Sequence, residues 1–124
     1  VLEVKMNGLE DTIKKLSEEI SEAVLVGITG KDGLPVSIYA KENIETAEAS
    51  AEISSIFSVI EHAVKNLGVG DPKEFFVLTD SYGIFGMPMI YDCYLFVITR
   101  QPINLGKVRI EFRKYLPKIE EMIK

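Results

Sequence analysis

Tryptophan is missing from this chain, and cysteine and histidine occur once each, as Cys93 and His62. A lone cysteine excludes a disulfide framework and a cysteine-based metal site. A lone histidine leaves no metal constellation at recognisable spacing, and nucleophilic use of Cys93 would have only His62 for a base. Cys93 is better read as a small buried strand residue, and His62 as a surface or interface residue. Basic excess is missing too. The net charge is −5, and nucleic-acid binding needs a positive patch that releases counterions. No apolar run is long enough to span a membrane, and no signal peptide opens the chain. These features fit a reducing cytoplasm. No paired acids, no Ser-His constellation and no phosphate loop stand out, so catalytic, metal and cofactor residues are all expected to be none.

What is present fits one domain over residues 1–124, since 124 residues suffice for one real core but not two. Glutamine is scarce while Glu, Lys and Ile are plentiful, a lean toward a thermophile. The chain opens on Val1 rather than methionine, which makes Met6 a candidate native start.

Asn7 with Glu10 reads as a capping box, followed by an apolar stripe at Leu9, Ile13, Leu16 and Ile20. Ala23–Thr29 and Leu34–Ala40 are β-rich runs around Gly30-Lys31-Asp32-Gly33, a hairpin turn. The glycines there do not lead into a helix, which argues against an anion loop. Glu45–Leu67 is the longest helical stretch, closed by Gly68 and Gly70-Asp71-Pro72. Three further runs, Glu74–Thr79, Ile84–Ile90 and Cys93–Thr99, read as an antiparallel meander, with turns at Asp80–Gly83 and Tyr91-Asp92. Pro88 belongs at an edge, a strand end or a bulge. Pro102 and Asn104 open a last helix striped by Leu105, Val108, Phe112, Leu116, Ile119 and Ile123. A kink or break is expected near Arg113–Leu116, ahead of Pro117. The order α-β-β-α-β-β-β-α predicts an α+β sandwich. It has a five-stranded antiparallel sheet with the central helix on one face and the terminal helices on the other.

The central helix is unusual on both sides. Ala49, Ile53, Ile56, Phe57, Ile60, Val64 and Leu67 form its apolar stripe. Opposite lie Ala47, Ala51, Ser54, Ser55 and Ser58, small residues that let a second backbone approach. Ala47, Ala51, Ser54 and Ser58 are therefore the expected seam of a homodimer. Phe75 and Val77 join it if Glu74–Thr79 is an edge strand, whose unpaired backbone favours pairing with a second copy. A second row, Glu48, Glu52, Ser55, Val59, His62 and Asn66, borders that seam. In a monomer it is a plain solvated face. In a dimer Glu48, Glu52, Ser55, Val59 and His62 become a candidate partner surface. Arg100, Arg109 and Arg113 could be cast as arginine fingers, but surface charges are the stronger reading.

From about Gly8 to Lys124 the chain resembles the Roadblock family, which includes roadblock-type dynein light chains and the bacterial polarity protein MglB. The resemblance rests on Ala23-Val24-Leu25-Val26 with Lys31-Asp32-Gly33-Leu34-Pro35-Val36, on the Ala/Ser-rich central helix, and on Asn104-Leu105-Gly106-Lys107-Val108-Arg109 after the strand Cys93–Thr99. It implies a homodimer with paired central helices and sheets joined edge to edge. It also implies a non-enzymatic module that binds and regulates a Ras-like small GTPase, in MglB-like members by stimulating hydrolysis. Two other roles compete: a dimeric scaffold or motor-complex light-chain-like adaptor without a GTPase, and a small-molecule-sensing module.

Overall fold

The computed structural model describes residues 2–124, with side chains from Gly8 onward. Within them the elements run α1 (Leu2–Glu19), β1 (Ala23–Gly30), β2 (Pro35–Ala40), α2 (Thr46–Leu67), β3 (Phe75–Leu78), β4 (Tyr82–Met89), β5 (Cys93–Arg100) and α3 (Leu105–Ile123). The strands form one antiparallel sheet in the order β2-β1-β5-β4-β3. This is the expected α+β arrangement, with β2 and β3 as its two edges.

Period-2 strands divide the core into two layers. On one face α1 and α3 cover Val26, Ile28, Phe85, Met87, Leu95 and Val97, using Leu9, Ile13, Leu16, Ile20, Val108, Phe112 and Ile119. On the other face α2 covers Val24, Leu25, Phe75, Tyr94 and Phe96 with Ile53 and Phe57. Phe57 lies at the centre of that second layer. It stacks on Phe75 at 4.5 Å and meets Tyr94 edge-on at 5.3 Å, the two geometries that aromatic quadrupoles favour. Gly86 makes the room: a Cβ there would fall 2.2 Å from Phe57 Cε2.

Local signals explain the boundaries. The Glu45 side chain accepts from the Ala47 amide to cap α2, and Gly68 ends it in the left-handed conformation at φ 70°. The Asp32 carboxylate accepts from the Leu34 amide while Gly33 takes φ 87°, which closes the β1–β2 turn. Tyr91 and Asp92, at φ 59° and 53°, turn β4 into β5. Pro88 sits in β4 beyond the last β3 pair, Phe75 with Gly86. The Tyr82 carbonyl accepts from Thr79, so the alternate positions Ile84, Gly86 and Pro88 also face the β3 side. The missing donor of Pro88 therefore points where no strand runs, at a local edge.

Two expectations are corrected. Asn7 lies inside α1, not at its N-cap, because the helix already begins at Leu2; the Asn7 side chain is outside the described residues. Of the kink or break expected near Arg113–Leu116, the break does not occur: α3 is helical from Leu105 to Ile123 with Pro117 inside. The carbonyl it leaves without its helical donor is that of Arg113, and both residues are exposed, so that carbonyl is on the solvent side of the helix.

Gly86→Ala would drive a methyl into the Phe57 ring, and overpacking of this kind costs about 1–3 kcal/mol. A lower urea midpoint with an unchanged slope is expected, whereas Gly106→Ala, inside α3 where a Cβ meets only the Asn104 side chain at 3.7 Å, should hold or raise it, since alanine is favoured over glycine in a helix by roughly 0.5–1 kcal/mol.

Candidate functional site

The small-residue side of α2 meets a backbone of its own chain. A Cβ on Gly33 would lie 3.6 Å from Ala51 Cα, so the β1–β2 turn rests directly on the helix. Serines fasten it there. Ser50 Oγ donates to the Gly33 carbonyl at 3.0 Å and shares a buried contact with the Thr29 hydroxyl. Ser54 Oγ donates to the Lys31 carbonyl at 2.9 Å. One turn on, the Ser58 hydroxyl lies 3.4 Å from the Tyr94 hydroxyl, which donates to Glu61.

Glu61 in turn holds Lys31 Nζ at 2.9 Å, with Asp92 at 3.5 Å on the other side. Hydrogen bonding to Glu61 raises the Lys31 pKa above its usual 10.5, against an opposing effect of burial. Burial pushes the Tyr94 hydroxyl up, and it does the same to the Cys93 thiol, which Asp32 and Asp92 raise further. Cys93 is thus a buried, protonated thiol at neutral pH, not an activated one.

Alongside this clamp runs a shallow groove of about 360 Å³, floored by Ala51, Ser54 and Ser58 and bordered by Lys31 and Val59. Of the lining residues, Ala51 and Ser55 are exposed and Val59 is 67% exposed; outside the groove, Ala47, Glu48, Glu52 and His62 are exposed as well. His62 Nε2 lies 3.1 Å from the Asn66 amide nitrogen.

Of the residues expected at the seam, Ala47 and Ala51 are exposed, and Ser58 and Val77 are half-buried. Two assignments are corrected. Ser54 is 3% exposed because its hydroxyl is spent on the hairpin turn, and Phe75 is 1% exposed because it stacks under α2. The row Glu48, Glu52, Ser55, Val59 and His62 does share one exposed side of α2.

β3 is an edge, and its register decides which groups it offers. The Thr79 amide donates to Tyr82 across the β3–β4 pair, so Val77 and Phe75 also direct their backbones to β4. The unpaired groups therefore belong to Phe76 and Leu78, whose side chains are 39% and 57% exposed. Sequence reasoning chose Phe75 and Val77, because alternation alone does not say which residues of β3 turn their backbones outward. It also passed over Lys31, Glu61 and Tyr94, which lie in three separate elements.

All three arginines are engaged. Arg100 forms a forked pair with Glu42. Arg109 and Arg113 both reach Glu74, at 2.9 and 3.2 Å. Among the described residues no group of His, Cys, Asp and Glu is arranged to hold a metal ion, and no helix is long and apolar enough to cross a membrane.

This is an α+β module whose distinctive features are a helix face and a sheet edge. Residues 9–99 match the Roadblock/LC7 domain model, and the chain belongs to the Roadblock/LC7 family. Two uncharacterized proteins of Methanocaldococcus jannaschii are each 26% identical to it over 98 residues, covering 77% of this chain and 82% of theirs. The structure of MglB from Myxococcus xanthus superposes with a TM-score of 0.83 at 17% identity, over 94% of each chain. An MglB with tetrameric arrangement gives 0.84 at 11% identity, over 95% of this chain and 89% of the other. At such identities the structural likeness speaks for the fold.

The Lys31–Glu61 pair has a definite pH signature. Because the folded Lys31 pKa is raised, its stabilisation is fully present below 10.5 and is lost as the pH climbs through the folded value. The stability deficit of Glu61→Gln, followed by urea melts, should hold constant from neutral pH to about 10 and then shrink.

Proposed function

We propose that this protein is a homodimeric interaction module that binds and regulates a Ras-like small GTPase and has no catalytic groups of its own. The observation that carries the reading is the combination of two uncovered surfaces. The outer side of α2 is small around Ala47 and Ala51, and the β3 edge has free backbone groups at Phe76 and Leu78. Membership of the Roadblock/LC7 family supports it, since the family resemblance implies paired central helices and edge-joined sheets. A dimer built so would bring two copies of Glu48, Glu52, Ser55, Val59 and His62 to the margins of one seam. That composite surface is the proposed GTPase contact. Localisation in the cytoplasm follows from the same reading.

The ion pairs favour a particular form of regulation. With Arg100, Arg109 and Arg113 each held by a carboxylate, no arginine is poised as a finger. Stimulation of hydrolysis would then act by ordering the GTPase's own groups. The same engagement keeps a purely adaptor role as the second reading.

Light scattering should give a dimer for the native protein. Ala51→Arg should weaken it on the order of a hundredfold, by burying an unpaired charge, without changing the melt of the monomer. Ser54→Arg is not an equivalent test, since it would unseat the hairpin turn. A stable native monomer at micromolar concentration would overturn the dimer.

Pull-downs with Ras-like GTPases of the same organism, loaded with GTP or GDP, test the partner. Val59→Arg should abolish capture while leaving the dimer intact. Capture of none of them in either state would leave the adaptor reading. Where hydrolysis is stimulated, Arg100→Ala, Arg109→Ala and Arg113→Ala should each retain the stimulation.

A further inference from the structure

The second sheet edge, β2, lies across the sheet from β3 and has a different environment. Its register fixes the directions of its backbone groups. The Lys41 amide donates to the Val24 carbonyl, and the Gly30 amide donates to the Leu34 carbonyl. With Val26 opposite Tyr39 and Ile28 opposite Ser37, the residues bonded to β1 are Ser37, Tyr39 and Lys41. The N–H and C=O groups of Ile38 and Ala40 therefore point away from the sheet, where no strand runs; the register shifts between Ile28 and Thr29, so Pro35 and Val36 lie at a bulge where this alternation ends.

An open groove of about 370 Å³ follows this edge, lined by Val36 to Tyr39, by Glu10 of α1 on one flank and by Thr46 of α2 on the other. Each flank has its own chemistry. Ile38 and Ala40 pack toward the α2 layer, and Val36, at the bulge before them, is 37% exposed. Ser37 and Tyr39 take the α1 face, where Glu10 presents an exposed carboxylate and Lys14 lies over the Tyr39 ring at 5.9 Å.

From this geometry we infer that β2 is a docking edge for an extended segment of a partner protein, which adds to the sheet as a sixth strand. Alternating outward donors and acceptors in a groove between two helices are complementary to a strand and to no other backbone conformation. The segment carries apolar side chains on the α2 face, beside Ile38 and Ala40. On the α1 face it carries a lysine or arginine that meets Glu10.

A second copy of this chain is the competing occupant, since antiparallel pairing of two β2 strands about a twofold axis would bring Glu10 and Lys14 of each copy to the same face of the joined sheet. The inference does not depend on the proposed dimer, because β2 and β3 are opposite edges.

The probe is a blocked synthetic heptapeptide of alternating valine and lysine, followed by fluorescence anisotropy at low salt and by amide hydrogen exchange. Saturable binding is expected, with new protection at the Ile38 and Ala40 amides. Methylating alternate peptide nitrogens, in either frame, should show that one frame abolishes binding. Glu10→Lys, or glutamate in place of the peptide lysines, should weaken binding on the order of tenfold. Ala51→Arg, which tests the dimer, should leave peptide binding unchanged. The inference is overturned by any of three results. These are no protection along β2, protection at Phe76 and Leu78 instead, or β2 protection in the peptide-free protein that grows with its own concentration.

Discussion

The seating of Phe57 against Gly86 governs the rest of the molecule. Burying a phenylalanine is worth about 1.5–3 kcal/mol, but the contact also sets how close α2 lies to the sheet. Only a residue without a Cβ leaves room for the ring. With Phe57 in that gap, Phe75 and Tyr94 pack around it as one aromatic cluster. The rotation of α2 is thereby fixed, and with it the identity of the side turned to solvent.

That rotation also brings Ser50 and Ser54 onto the β1–β2 turn. A helix packed so close to a turn would strand backbone carbonyls away from water, and unsatisfied carbonyls are costly. The two serine hydroxyls take up the carbonyls of Gly33 and Lys31. Lys31, held there by its backbone, is then positioned for Glu61 and Asp92. The hairpin turn and the helix form one continuous rim, on which Ala47, Ala51 and Val59 are displayed.

Both ends of the sheet are open, yet they are not equivalent. β3 is short and carries exposed Phe76 and Leu78, a composition suited to a symmetric contact with a second copy. β2 is longer, starts at a proline and runs beside an acidic flank at Glu10. Prolines and charges are the usual means of keeping an edge from pairing indiscriminately. They leave β2 available to a segment of matching charge.

The α-β-β-α-β-β-β-α order was legible in the sequence because its elements obey local rules. Apolar steps of three and four mark α2 and α3, Asp32-Gly33 marks a hairpin, and Gly68 marks a helix end. The family resemblance was legible in the same segments. Tertiary packing settled three other matters. Ser54 and Ala51 are both small residues at α2 spacing, but one is buried under a turn and the other is exposed, a difference of helix rotation. Phe75 and Phe76 are adjacent aromatics, and the direction of the β3–β4 bonds decides which offers its backbone to a partner. Lys31, Glu61 and Tyr94 have no sequence relation, and only folding places them within reach of one another. Local periodicity is encoded in neighbouring residues, whereas the rotation, register and pairing that shape a surface depend on contacts between distant ones.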